Sequence, residues 1–168
     1  SAKGLAATLE ITQAEAELLM KNYFEGYPGI KGYMDIQKKM AHNKGYVLDL
    51  FGRKRRLRNE FNQRDFWKGL AAERQAGNFP IQASAGSILK KAIVDLQKVL
   101  PRMDVKILLQ VHDELIFDCP KDITAEELTL IKTTMENAVK LKVPVKADID
   151  IYPERWAEKV IWDEWFGK

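Results

Sequence analysis

The chain is poor in the residues that staple folds covalently or hold soft metals: it has one cysteine, Cys119, and two histidines, His42 and His112. A single thiol excludes an intramolecular disulfide framework and any multi-cysteine zinc or iron–sulfur site. Two imidazoles put His-rich metal centres out of reach. Long hydrophobic runs are missing too, since none reaches the roughly 20 apolar residues that a bilayer-spanning helix needs. No charged-then-apolar leader opens the sequence, so neither secretion nor membrane insertion is expected. Ser1 stands without an initiator Met and the chain reads as if entered mid-domain, which raises a fragment, a processed product or a split gene. What is present is ordinary in amount. Apolar residues are 46% and charged residues 30% of 168, enough for the core of one ordinary domain and unlike a disordered segment.

Charge is unevenly spread. Ser1–Lys91 carries 16 Lys and Arg against 9 Asp and Glu, whereas Ala92–Lys168 carries 11 against 15, so a net of +7 faces a net of −4. The densest cluster is Arg53, Lys54, Arg55 and Arg56, followed by Arg58. A basic patch beside an acidic remainder suits a directional contact with a polyanion, and suits a solvated basic hairpin equally well.

Periodicity supplies an element map. Thr12 and Glu15 have capping-box spacing ahead of a helix through Ala16, Leu19, Met20 and Tyr23, and Gly26-Tyr27-Pro28-Gly29 breaks it. Pro28 suits the first turn of a second helix carrying Ile30, Tyr33, Met34 and Met40. Tyr46–Phe51, Gly52 and Arg53–Leu57 read as a β-hairpin with the basic cluster on its return strand. Asn62 is placed to cap a helix through Phe66, Leu70 and Arg74, with Pro80 disturbing it because proline has no N–H to give the carbonyl four residues back. An apolar-periodic stretch from Ile81 to Leu100 follows and stops at Pro101.

The period then changes. Val105, Ile107, Leu109 and Val111 alternate with Lys106, Leu108 and Gln110, and Leu115-Ile116-Phe117 resumes the strand pattern after His112-Asp113-Glu114. Thr124 and Glu127 form a second capping-box pair, opening a helix through Leu128, Ile131, Met135 and Val139. Val145, Ala147, Ile149 and Ile151 alternate with Lys146, Asp148 and Asp150 as a late strand, and a Trp-containing tail closes the chain. Without repeats or a long linker, the layout is one compact α+β unit.

Two constellations could carry chemistry. In Val111-His112-Asp113-Glu114-Leu115 a tight turn lifts three ionisable groups out of a sheet. Such a turn is either a ligand site or an ordinary polar tip. A carboxylate there suits Mg²⁺, which takes a few oxygen ligands and keeps waters and phosphates for the rest, although one carboxylate does not complete a two-metal site. Arg74, Asn78 and Gln82 recur every four residues, drifting about 40° per step, and so line one polar helix stripe. That stripe faces solvent, or else presents donors to a duplex minor groove. There purine N3 and pyrimidine O2 occupy similar positions in all correct pairs, so pair geometry can be sensed without reading sequence.

Ala71-Ala72-Glu73-Arg74-Gln75-Ala76-Gly77-Asn78-Phe79-Pro80-Ile81-Gln82-Ala83-Ser84-Ala85, followed by Gln110-Val111-His112-Asp113-Glu114-Leu115, resembles the C-terminal palm and fingers of family A DNA polymerases, the bacterial DNA polymerase I type. Ser1-Ala2-Lys3-Gly4-Leu5-Ala6 resembles the segment after that family's nucleotide-binding fingers helix, and Phe51-Gly52-Arg53-Lys54-Arg55-Arg56-Leu57 its Gly-Arg-Arg hairpin. The likeness keeps the family's order over essentially the whole chain. It departs at Ala83 and Ser87, where the family usually has Gly and Asp, and at Lys3, where an apolar residue is usual.

The resemblance implies an α+β polymerase portion, with fingers-derived helices and the basic hairpin over about residues 1–60 and a palm portion over about 61–168. It implies that Asp113 is the motif C aspartate and metal ligand, with Glu114 as its supporting carboxylate. By the same token His112 lies near the primer terminus, Arg74, Asn78 and Gln82 contact primer–template, and Arg53, Lys54, Arg55 and Arg56 follow the duplex backbone. Primer–template DNA, dNTP and Mg²⁺ are the implied partners. Motif A, the fingers helix and its triphosphate-binding residues belong upstream in the family, so a complementary N-terminal polymerase portion is expected to complete the two-metal site. The implied location is cytoplasmic, at a nucleoid or a viral replication site, with an organelle also open. Two other readings stand beside this one: a duplex-binding module without catalysis, and a metal-dependent nuclease, which would need several converging carboxylates.

Overall fold

The computed structural model describes residues 1–61 and 66–167. They form two compact units, Ser1–Ser84 and Ala85–Lys168, in place of the single unit expected from the sequence. The division falls inside one long helix, which is why no linker composition announces it.

In the first unit, α1 (Ala2–Leu9) is capped by the Ser1 hydroxyl, which accepts from the Gly4 amide at 3.2 Å. Helix α2 (Gln13–Gly26) opens on the expected capping box: the Glu15 amide donates to the Thr12 hydroxyl and the Thr12 amide to the Glu15 carboxylate at 2.9 Å. The Thr12 hydroxyl, which donates to the Glu15 carboxylate at 2.7 Å, and then the Thr12 amide hold the Glu15 carboxyl below the ordinary glutamate range. Helix α3 (Pro28–Lys44) begins with Pro28 in its first turn and ends at Gly45. Gly45 has φ 74°, and a Cβ there would meet Arg58 Nε at 2.9 Å, so only glycine fits. Strands β1 (Tyr46–Leu48) and β2 (Lys54–Arg56) pair antiparallel with Val47 opposite Arg55, as the hairpin reading required. A short helix, α4 (Arg58–Phe61), follows.

Helix α5 runs unbroken from Phe66 to Leu96, straight through Pro80. The expected disturbance does not end the helix. Losing one ladder bond and crowding the preceding turn costs about 3 kcal/mol, and tertiary anchoring on both sides of Pro80 offsets it. Ala72 and Ala76 are fully buried against Ala41, Val47 and Leu57, and the Tyr33 hydroxyl donates to the Gly77 carbonyl at 3.3 Å. The Ser84 hydroxyl donates to the Pro80 carbonyl. The proposed Asn62 cap lies outside the described residues.

The second unit holds the other core. Leu96, Leu100, Met103, Val105, Ile123, Leu128 and Ile131 are buried together, with Ile107, Leu115, Phe117, Ile149, Ile151, Trp162 and Phe166 packed around them. At about 1.5–3 kcal/mol per large side chain removed from water, this cluster is the principal stabiliser of the unit. The helix stops at Leu96, and a 3-10 turn at Leu100–Arg102 delivers Leu100 to the core. Strands β3 (Lys106–Val111) and β4 (Glu114–Asp118) form the expected hairpin, with Val111 opposite Glu114. Its register shifts between Ile107 and Leu109, so Leu108 is bulged and Leu109, placed on the buried face by simple alternation, is 54% exposed.

Helix α6 (Ala125–Glu136) has the second capping box and ends three residues before the expected Val139. Residues 145–150 keep the burial alternation of a strand, with Val145, Ala147 and Ile149 half-buried and Lys146, Asp148 and Asp150 exposed. Among the described residues they gain no ladder partner beyond an isolated bridge between Ile151 and Val160. Alternation reports which face is covered, and a strand additionally needs a neighbour. Helix α7 (Trp162–Phe166) brings Trp162 and Phe166 onto the core, their ring centroids 4.7 Å apart.

Candidate active site and duplex-binding surface

The tip of the β3–β4 hairpin is a two-residue turn, His112-Asp113, because Val111 and Glu114 are already paired. His112 carries φ 53°, the left-handed region that a two-residue turn normally gives to glycine. A non-glycine residue there costs about 1–2 kcal/mol, so the turn retains a histidine at the expense of stability. Its carbonyl accepts from the Gln110 side-chain amide at 3.4 Å. His112, Asp113 and Glu114 are all exposed, and no described residue forms an ion pair or hydrogen bond with the Asp113 or Glu114 carboxylate. The tip is thus a pair of adjacent, uncompensated carboxylates on a rigid support. Hard oxygen donors of this kind fit a magnesium ion. No group of three or more His, Cys, Asp or Glu positioned for a metal occurs among the described residues, so these two carboxylates alone would make up no more than part of a coordination shell. Asp150 is engaged elsewhere, 2.7 Å from Lys159.

On α5, Arg74, Asn78 and Gln82 are exposed at intervals of four, while Ala72 and Ala76, about 200° round from Arg74 and Asn78, face the core. The stripe therefore exists as expected, and none of its three side chains is tied to a described neighbour. The departures from the family pattern sit on the same helix, Ala83 half-buried and Ser87 buried.

The basic hairpin is less uniform than its sequence. Arg53 Nε donates to Asp49 Oδ2 at 2.7 Å, and Arg53 Nη2 reaches the Ala83 carbonyl at 3.2 Å. Arg55 Nη2 donates to Gln75 Oε1 at 2.8 Å. The Lys54 ammonium lies 4.7 Å from the Tyr46 ring centroid, and Arg56 has no partner among the described residues. Asp49 is the residue that sequence reasoning missed. Its side chain is fully buried and accepts from the amides of Phe51 and Arg53 at 2.9 and 2.8 Å. The available signal was Asp49 three residues before Gly52, a side-chain-closed turn pattern. Gly52 has φ 81°, the backbone conformation glycine adopts freely.

A second polar cluster was also not foreseen. His42 Nε2 lies 3.0 Å from Glu73 Oε1, Lys38 Nζ lies 3.5 Å from Glu73 Oε2, and the His42 ring packs on Phe61 at 4.1 Å. The hydrogen bond from His42, and then Lys38, hold the Glu73 carboxyl below the ordinary glutamate range against partial burial. Burial, with Asp118 and Glu127 nearby, pushes the Cys119 thiol up, so the single cysteine is poorly suited to act as a thiolate.

The sequence profile of DNA polymerase family A matches residues 1–158. Over 147 residues the chain is 46% identical to DNA polymerase I of Streptococcus pneumoniae serotype 4, covering 86% of this chain and 17% of that protein. It is 44% identical over 156 residues to DNA polymerase I of Geobacillus stearothermophilus, covering 89% and 17%. Among solved structures it is similar to the POL domain of Pol1 from M. smegmatis in complex with DNA primer-template and dNTP, with a TM-score of 0.82, 36% identity, and coverage of 87% of this chain and 26% of that one. The chain belongs to DNA polymerase family A, and its α+β fold of antiparallel hairpins and flanking helices is that of the family's polymerase domain. It spans about a sixth of the length of the curated relatives it matches. Among the described residues no helix is long and apolar enough to cross a membrane.

Proposed function

We propose that this chain is part of the catalytic region of a DNA-directed DNA polymerase, acting together with the portion of the enzyme that its relatives carry beyond the matched region. The observation that carries this reading is the exposed Asp113-Glu114 carboxylate pair on a strained two-residue turn. Strain held in a non-glycine turn residue is tolerated where the turn serves a purpose besides folding.

In this reading a primer 3′-oxygen attacks the α-phosphate of a dNTP, the new phosphodiester bond forms and pyrophosphate leaves. Asp113, with Glu114 beside it, would hold Mg²⁺, which when bound supplies charge stabilisation to the attacking and leaving oxygens. His112, at the same tip, lies beside the primer terminus. Arg74, Asn78 and Gln82 give minor-groove acceptors a row of donors, which positions the terminal pair. The basic hairpin follows the phosphate backbone. Residues 1–60 correspond to fingers-derived helices and the basic hairpin, and 61–168 to the palm portion. The rest of the two-metal site comes from the complementary N-terminal portion, on the same or another polypeptide. The enzyme acts where its DNA lies, in the cytoplasm at a nucleoid or a viral replication site, or within an organelle.

The test is dNTP incorporation on a primer–template by the complete enzyme carrying Asp113→Ala. Incorporation falls by at least about a thousandfold, the scale of losing a group that neutralises transition-state charge, while duplex affinity stays within about threefold. Retained turnover refutes the assignment. Arg74→Ala and Gln82→Ala slow extension from matched termini, and a normal rate in both argues against the minor-groove role.

A further inference from the structure

Period-2 geometry divides the basic cluster into two pairs. On strand β2 successive side chains point to opposite faces, and Arg53 and Arg55 reach helix α5 while Lys54 rests over Tyr46 and Arg56 stands free of described partners. The two arginines land at either end of the polar stripe. Arg55 holds Gln75, next to Arg74. Arg53 holds the Ala83 carbonyl, next to Gln82, and the Leu50 amide donates to the Ser84 hydroxyl at 2.8 Å. Eight residues of helix, about 12 Å, separate these anchors. Between them lies Pro80, which leaves the Ala76 carbonyl without its helical donor and makes this the weakest point of α5.

We propose that the β1–β2 hairpin is a splint across the Pro80 interruption, with Arg53 and Arg55 as positioning residues that keep Arg74, Asn78 and Gln82 in one stripe, and that only Lys54 and Arg56 of the cluster neutralise duplex phosphates. This rests on the duplex-binding reading above and assigns the four cations different tasks within it. Asp49 is the hinge pin of the splint. Its buried carboxylate fixes the Arg53 backbone through one oxygen and the Arg53 Nε through the other, aiming the guanidinium Nη2 at the helix. Lysine in place of Arg53 has one point-like donor group and cannot span both acceptors in this way.

The experiment uses the complete enzyme and two readouts: the slope of log duplex affinity against log salt, and the single-turnover extension rate at saturating primer–template. Lys54→Gln and Arg56→Gln each reduce the slope by about one, as expected for one lost phosphate contact. Arg53→Gln and Arg55→Gln leave the slope unchanged and slow extension at saturating duplex about tenfold, and Arg53→Gln added to Gln82→Ala slows it no further. Arg53→Lys, which keeps the charge, behaves as Arg53→Gln does. Equal slope losses for all four cations overturn the division of labour while leaving the duplex reading intact. A slope near zero for the unmodified enzyme removes the duplex reading, and the splint with it. If Arg53→Gln unfolds the protein, Gln75→Ala and Ser84→Ala carry the test, because each removes a helix-side anchor and no cation. Slower extension at unchanged slope supports the splint, and a normal rate with both anchors removed overturns it.

Discussion

The two hairpins of this chain put an aspartate and a positive φ near their turns and use them in opposite ways. In β1–β2 the left-handed position belongs to Gly52, and Asp49 is fully buried with three donors on its carboxylate. In β3–β4 the left-handed position belongs to His112, and Asp113 is exposed with no described partner. The first turn secures its carboxylate for stability, and the second leaves its carboxylate exposed, as the proposed metal-binding role requires. A buried carboxylate that lost its donors would be costly, so Asp49 is committed to the fold. An exposed carboxylate with unused lone pairs costs the fold little and remains available to a ligand. The residue type alone does not separate these roles; what separates them is how many donors the local backbone supplies.

This contrast can be broken from the folding side first. Asp49→Ala leaves the amides of Phe51 and Arg53 without their acceptor and should destabilise the protein by about 3 kcal/mol, read as a drop in denaturant midpoint at constant slope. The same change at Asp113 should move stability by no more than about 0.5 kcal/mol. Comparable losses at both sites would erase the distinction. Exchanging the turn residues gives the next effect. Gly52→Ala should cost about 1 kcal/mol because alanine disfavours φ 81°. His112→Gly should stabilise by about 0.5–1 kcal/mol through relief of the left-handed histidine while slowing nucleotide incorporation. A stabilised variant with undiminished turnover would show that the strain serves nothing.

The smallest effect is in pH. Glu73 has its pKa lowered by His42 and Lys38, so it binds fewer protons folded than unfolded in the carboxylate range. Its contribution is full above the ordinary glutamate pKa and is lost as pH falls through the lowered folded value. Glu73→Gln should therefore flatten the acid limb of the stability curve while changing little at neutral pH, as urea titrations across the acid range would show.

How far the sequence could be read follows the same physics. Both capping boxes, the Pro28 helix start, both hairpins and the exposed Arg74–Asn78–Gln82 stripe are local patterns, and each was legible because its partners lie within four residues or one turn. Pro80 was read rightly as a disturbance, but that the helix continues through it was not legible, because the compensation is tertiary, from Tyr33 and the loop before β2. Leu109 was misplaced because the bulge between Ile107 and Leu109 breaks the alternation locally, whereas Val111 beyond it is half-buried as expected. The late alternating segment was read as a strand because burial alternates there, although a strand also requires a pairing edge. The basic cluster looked uniform because charge counts cannot reveal that Arg53 and Arg55 are engaged by Asp49, Ala83 and Gln75.

The central claim is that the Asp113 carboxylate takes part in binding the magnesium used for nucleotide transfer. Its most direct measurement is the magnesium dependence of single-turnover dNTP incorporation by the complete enzyme, unmodified and with Asp113→Glu. A carboxylate moved by one methylene should raise the magnesium concentration for half-maximal rate by at least about tenfold, one pK-sized step of about 1.4 kcal/mol, with primer–template affinity unchanged. An identical magnesium curve for the two enzymes at similar maximal rates would contradict the account.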